Sequence, residues 1–337
     1  MSDGTKIQWT DATWNLINGC TVVSPGCEHC YAMRLAATRL RNHPSREGLA
    51  RMHKGKPQWT GEVTFNRAVA LDPFKWTRPR RIFVCAHGDL FHKDVPDAWI
   101  DYVFMVALLN QRHTFQILTK RAERMRAYMN MVAQEGEEQT ALRMAVAMLH
   151  AGKQDMTTDG INIHWPPRNV WLGVSVEDQQ RADERIPELL AASAAVRWLS
   201  MEPLLGPVDL KKISTLRFRG AEVLNALTGV LEGMFGDYCA TRLPAIDWVV
   251  AGGESGPDSR PLHPDWLELV ESQCRSAGVP FFFKQWGDHS ADRIEHSDAR
   301  SLNHPPGHVI FTRVGKKVAG RKLHGVEHDA YPEAARG

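Results

Sequence analysis

"NVWLGVSVEDQQRADERIPELLAASAAVRWLSM", residues 169–201, decides the fold. It opens on a near-continuous apolar run, 169–176, of the kind a strand buried on both faces requires. An acid-first helical stretch follows over 178–193, and a second apolar run closes the unit at 196–201. Runs of the same type lie upstream: "ATWNLI" (12–17), "EVTFN" (62–66), "RIFVCA" (81–86) and "TFQILT" (114–119). Two more lie downstream, "DWVVAGG" (247–253) and "VPFFFKQ" (279–285). Between them sit helical patterns such as "DAWIDYVFMVALLNQ" (97–111) and "HPDWLELVESQCRSAG" (263–278), the latter stopped by a glycine. Strand, helix, strand repeated about eight times predicts an α/β fold built on a parallel β/α barrel, complete or partial and TIM-like. A doubly wound open sheet is the alternative.

The barrel is expected over residues 1–287, with a C-terminal extension at 288–337 that is rich in His, Pro and Gly. Connections at 127–168 and 209–245 are too long for a bare barrel. Each carries helical patterning, "EEQTALRMAVAMLHAG" and "AEVLNALTGVLEGMF", and both are expected to be inserted helical segments. Of the 337 residues 43% are apolar and 24% charged, which excludes a disordered chain. No run of about 18 apolar residues and no signal-type N-terminus is present, so no membrane partner and a cytoplasmic location are expected. If the chain is phage-encoded, that cytoplasm is the host's.

Barrel chemistry sits at the C-terminal ends of strands. Reading those ends in turn gives Asn15, Asp89, Lys120, Glu177, Glu202, Glu254 and Lys284. A charge directly after an apolar strand is rarely core, although Glu177, which precedes a helix, suits a cap. Lys120, Glu202 and Lys284 are the candidates for grasping a polar substrate.

Three of the six cysteines fall within "GCTVVSPGCEHCYA" (19–32), spaced C-x6-C-x2-C as Cys20, Cys27 and Cys30. Cys85, Cys239 and Cys274 are scattered and read as buried free thiols. In a reducing compartment the cluster argues for metal ligation over disulfides. A structural zinc asks for four closed ligands, which His29 or His43 could complete. A [4Fe–4S] cluster on three cysteines accounts for the count directly and leaves one iron open.

The loop "GCTVVSPGCEHCYA", with the helix "MRLAATRLR" after it, resembles the cluster loop of radical S-adenosylmethionine enzymes. The wider chain, over residues 7 to 287, resembles a phage and prophage family carrying "DLFH", "LTKR", "GVSVED", "EPLLGP", "GGESG" and "FFFKQWG". The superfamily's usual spacing is C-x3-C-x2-C, so this loop has three extra residues between Cys20 and Cys27. The resemblance implies that Cys20, Cys27 and Cys30 hold the cluster and that Tyr31 and the segment Gly252, Gly253 and Glu254 contact S-adenosylmethionine. The Gly-Gly-Glu segment normally follows the second strand, whereas here it follows about the seventh, and a plain glycine turn capped by Glu254 is the competing reading.

The implied chemistry is reductive cleavage of S-adenosylmethionine to methionine and a 5′-deoxyadenosyl radical, fed by an external electron donor such as flavodoxin or ferredoxin. The implied substrate is a nucleobase, a premodified thymine of phage DNA undergoing radical rearrangement (isomerisation) or functionalisation as a DNA modification. A base in a duplex must be flipped out to reach such a site. A small metabolite or peptide substrate, and a zinc-stabilised nucleic-acid-binding protein without catalysis, are the alternatives. Seven Lys/Arg, two His and a single acid, Glu47, lie between Arg34 and Lys56, and "KWTRPRR" (75–81) adds four cations. These stretches are expected to face a DNA or nucleotide backbone, with Arg46, Arg51 and Lys54 as contacts, or to be plain solvated surface.

Overall fold

The computed structural model describes residues 2–150, 164–215, 221–233, 243–293 and 309–333. Its first strands are β1 (Ala12–Trp14), β2 (Ala50–His53), β3 (Lys56–Trp59), β4 (Arg81–Val84), β5 (Thr114–Thr119) and β6 (Val170–Ser175). Then come β7 (Val196–Met201), β8 (Ile213–Ser214), β9 (Ala221–Asn225), β10 (Val230–Gly233), β11 (Trp248–Gly252) and β12 (Phe281–Gln285). The helices used below are α1 (Tyr31–Ala37), α2 (Asp97–Leu109), α3 (Ala122–His150), α4 (Gln179–Leu190) and α5 (Pro264–Ala277). Every apolar run beyond residue 80 has become a strand.

The chain divides into two compact units. The first comprises Met1–Ser175, Glu184–Trp198 and Leu243–Ile246, and the second Val176–Asp183, Leu199–Arg242 and Asp247–Gly337. In the first unit β1, β4, β5 and β6 pair in parallel in that order, and Ser2–Asp3 caps β1 antiparallel. Each strand is added beside its predecessor without the reversal that marks a doubly wound sheet. This mixed α/β arrangement is consistent with a partial barrel. All six residues of β6 are buried. Gly173 on β6 leaves space for an indole: a Cβ there would come within 2.4 Å of the Trp198 ring. Trp9 meets Phe83 and Trp198 edge-on at 4.8 and 5.2 Å, closing that core. α2 buries nine consecutive residues, Ile100 to Leu108, and its Asp101 accepts from the Tyr128 hydroxyl at 2.6 Å.

The expected helical insertion at 127–168 holds over its first part, since α3 runs to His150 with a break at Gly136. Residues 151–163 lie outside the described residues. In the second unit the other insertion is corrected. "AEVLNALTGVLEGMF" contains not a helix but the hairpin β9–β10, extended by β8 into a three-stranded antiparallel sheet. The reason is local. Asn225 caps the turn by accepting from the Leu227 amide through Oδ1 at 3.1 Å, and Gly229 takes φ 72. A glycine in that conformation closes a hairpin and stops a helix.

Also in the second unit, β11 and β12 pair in parallel, and all five residues of β11 are buried. α5 starts at His263, whose ring accepts from the Asp265 amide, and ends at left-handed Gly278. Part of the expected C-terminal extension is bound into this unit. Phe283 donates its amide to His328, Trp248 donates its indole N–H to Ala330, and Arg321 lies 5.1 Å over the Phe282 ring. Among the described residues no helix is long and apolar enough to cross a membrane.

Candidate functional site

The cysteine loop leaves β1 beside the loop that leaves β4, and glycines make the crossing possible. Gly19 (φ +92) would drive a Cβ to 2.0 Å from the Glu62 carbonyl, and Gly88 would meet the Ile17 carbonyl at 2.7 Å. Only a residue without Cβ fits either place. A 3-10 turn over Pro25–Cys27 folds the loop back, and Cys30 then caps α1. All three thiols are half-buried and free, with no disulfide.

Three motifs from separate strands interlock around Cys20. Asp89 of "DLFH" is buried and accepts from the Phe91 and Lys120 amides, the Thr119 hydroxyl and the Arg121 guanidinium. Arg121 of "LTKR" reaches Asp89 at 2.7 Å, the Cys20 sulfur at 3.6 Å and the Thr21 hydroxyl at 2.7 Å. Thr21 also bonds Nε2 of His92 at 3.0 Å, while the Asp94 amide donates to Nδ1 of that ring. Nδ1 is therefore an acceptor and His92 is neutral, in keeping with burial and Arg121 holding its pKa down. The sequence singled out Lys120 in this motif. The contact to Cys20 comes from its neighbour Arg121, whose signal was only its place one residue further past the strand end.

Two of the loop thiols are costly to ionise where they stand. Burial, and after it the Asp89 charge, push the Cys20 thiol up to about 12, and burial pushes the Cys30 thiol up. The charge of Cys27 adds to both shifts, so the three sulfurs lie within electrostatic reach of one another. Arg121 opposes the shift at Cys20, and Lys120 opposes it at Cys30. Metal ligands must be thiolates, and a positively charged body among them lifts this penalty. Among the described residues no three His, Cys, Asp or Glu side chains gather around one point as a single-ion site requires. A cluster puts each cysteine on a different iron and does not ask for that. The three thiols with two cations at hand thus fit an iron–sulfur cluster by their donor chemistry. Of the histidines weighed as a fourth ligand, His43 has its Nδ1 engaged by the Ser45 hydroxyl at 2.8 Å. Cys85 and Cys274 are buried free thiols as expected, and Cys239 lies outside the described residues.

Tyr31 donates its hydroxyl to the Ala86 carbonyl at 2.6 Å and sets its ring edge-on to His87, with the ring half in solvent. Behind it, Arg46 is buried and donates to His87 Nδ1 at 3.2 Å. Arg46 was expected among the phosphate contacts and is removed from that set, because its guanidinium is committed inside the unit. In "KWTRPRR" Lys75 and Arg78 are exposed, while other charges of the stretch have partners within the unit. Lys75 pairs with Asp72, Arg81 forks onto Asp11, and Arg80 lies 5.5 Å from the Trp76 ring.

The second unit gathers the other expected residues. Lys284 Nζ lies 2.7 Å from Glu202 Oε1, and Ser200 donates to the other Glu202 oxygen. A Cβ on Gly252 would touch Glu202 and Lys284 at 3.4 Å each, so this glycine lies against the pair. Gly253 would drive a Cβ to 1.9 Å from the Trp286 carbonyl. Glu254 is buried and held by a fork from Arg260, with Oε1 at 2.8 Å and Oε2 at 3.0 Å. The visible role of the Gly-Gly-Glu segment is close backbone packing with a clamped carboxylate. Glu177 is fully buried, and its carbonyl accepts from the Leu205 amide. Asn15, in the first unit, accepts from the Asn18 side chain through its carbonyl.

A family model described as "Protein of unknown function (DUF5131)" matches residues 4–332. No curated protein and no solved structure matches the chain.

Proposed function

The chain belongs to that DUF5131 family, whose description assigns no chemistry, and we propose from its own residues that it is a radical S-adenosylmethionine enzyme acting on a nucleobase of DNA. One observation carries the reading: three free thiols on the loop after β1, with the Arg121 guanidinium 3.6 Å from the first. When bound there, a [4Fe–4S] cluster supplies one-electron reductive cleavage of S-adenosylmethionine, with the electron delivered by a flavodoxin or ferredoxin.

The residues divide the remaining work. Cys20, Cys27 and Cys30 hold the cluster and give up their protons in doing so. Arg121 donates toward the Cys20 sulfur and is fixed by Asp89, so it can drain negative charge from that ligand without moving. At Cys30 the Met33 and Ala32 amides, and after them the Lys120 charge, oppose the cost of ionising the thiol. Next to these residues the first unit has a cavity of about 580 Å³, lined by Thr21, Phe91, Lys93, Lys120, Arg121 and Glu184 among others. Its mixed charge suits a polar substrate such as an extruded base.

The test is composition followed by turnover. Anaerobically purified protein carries about four irons and four sulfides per chain. Reduced with dithionite, it converts S-adenosylmethionine to 5′-deoxyadenosine, and mass spectrometry of nucleosides from phage DNA then shows the altered base. Stoichiometric zinc without acid-labile sulfide overturns the proposal.

A further inference from the structure

The ribbon formed by β2 and β3 is used by none of the chemistry above. Its register pairs Ala50 with Trp59, Arg51 with Gln58, Met52 with Pro57, and His53 with Lys56. Residues paired across an antiparallel ribbon share a face, and successive pairs alternate between faces. One face is therefore Ala50, Trp59, Met52 and Pro57, and the other is Arg51, Gln58, His53 and Lys56. Ala50, Pro57 and Trp59 are partly covered, and α1 lies against both strands. All four residues of the polar face are exposed. The base is tied down by Thr60, which bonds the Gly48 and Leu49 carbonyls, and by buried Leu49.

Two features distinguish this ribbon. First, Arg51, Lys54 and Lys56 have no ion-pair partner among the described residues, and no acid lies between Glu47 and Glu62. Exposed like charges gathered on one short ribbon create a positive surface potential that an anionic partner complements. Second, the turn is Lys54-Gly55 with φ 48 and 78, a two-residue turn with both residues left-handed. That turn prefers Asn-Gly, and a lysine there is strained. The cation at the tip is thus kept against the preference of the turn.

We propose that this ribbon enters the major groove of duplex DNA with its Arg51–Gln58 face, while Lys54 and Lys56 hold the flanking phosphates. The inference rests on the DNA reading above for its substrate class. The major groove, about 12 Å wide, admits a two-stranded ribbon. Arg and Gln are the side chains that read guanine and adenine edges there in bidentate fashion. The deep, narrow major groove of A-form RNA does not admit a ribbon. Because α1 begins at Tyr31, directly after Cys30, a duplex held on the ribbon is held by the helix that follows the last thiol.

The experiment is fluorescence anisotropy of the full chain, cluster loaded, with a labelled mixed-sequence DNA duplex across a salt series. Arg51→Ala weakens binding roughly 5- to 100-fold and flattens sequence preference. Lys54→Asn with Lys56→Ala lowers the slope of log affinity against log salt by about 0.9 for each phosphate that is no longer neutralised. Lys54→Asn alone raises the melting temperature while weakening DNA binding, so lost affinity in that variant is not lost folding. Unchanged affinity and slope in these folded variants overturn the inference, as does equal binding to single strands, duplex RNA or anionic vesicles. A zinc-bearing chain that still binds DNA through the ribbon breaks the proposed chemistry alone. A brown chain that cleaves S-adenosylmethionine and ignores DNA breaks this inference alone.

Discussion

At the strand ends of the first unit, Asp89 fixes Arg121 beside the Cys20 thiol. In the second unit the charged strand-end residues Glu202, Lys284 and Glu254 close on one another or on Arg260. Each of these second-unit charges has a neutralising partner, and Gly253 faces the Trp286 carbonyl with no room for a Cβ. That is how packing and satisfied polar groups hold a fold. In the first unit the polar network ends on free thiols, with Arg121 3.6 Å from the Cys20 sulfur and burial making Cys20 and Cys30 costly to ionise. Two sets of motifs that look alike in sequence therefore differ in where their charges terminate.

The sharpest way to break this contrast is to remove a thiol. Cys20→Ala, Cys27→Ala or Cys30→Ala abolishes bound iron and sulfide, whereas Cys85→Ala and Cys274→Ala leave about four irons per chain. Metal and sulfide analysis with visible absorption reads the result, and a cluster that survives loss of Cys27 would remove the loop from its role.

Next in size is the support beneath Cys20. Asp89→Ala strands a largely buried guanidinium and costs about 3–5 kcal/mol, measured by urea denaturation of the apo chain. A loss under about 1 kcal/mol, the level of an exposed pair, would mean that the network is decoration.

In the second unit, Glu254→Gln and Gly253→Ala test structure against cofactor binding. Losing the charge of the Arg260 fork costs about 1.5–3 kcal/mol. The Cβ aimed at the Trp286 carbonyl forces a backbone shift of about 1–3 kcal/mol. Melting temperature should fall in both. A raised KM for S-adenosylmethionine at unchanged melting temperature would return the Gly-Gly-Glu segment to the cofactor.

A further effect is a pH slope in the first unit. Burial, then Arg46, hold the His87 pKa down from 6.5 to about 4. The unfolded chain binds more protons between those values, so stability is complete above about pH 6.5 and falls as pH drops toward 4. Protonation would also end Nδ1's ability to accept from Arg46. His87→Asn keeps an acceptor and should flatten part of the slope in acid-titrated thermal melts. An unchanged slope would place the effect on His113 and His92, whose pKa values are also held down.

Much of this was legible beforehand, because long apolar runs bounded by turn residues have few alternatives to a buried strand. The hairpin over 221–233 was not, since "AEVLNALTGVLEG" carries both periods and the choice fell to Asn225 and Gly229. Arg46 was equally opaque: within a run of cations nothing marks the one that turns inward to meet His87, 41 residues away.

The sequence by itself determined the alternation of strands and helices, the three-cysteine loop and the motifs at the strand ends. These are properties of residue type and spacing along one chain. Only the tertiary structure decided which charges are consumed internally. Ion pairing and desolvation depend on groups such as Asp89 and Arg121, or Glu202 and Lys284, that are distant in sequence and adjacent in space. It also left Arg51, Lys54 and Lys56 without an ion-pair partner among the described residues, because a cation's partner is set by what the fold brings beside it.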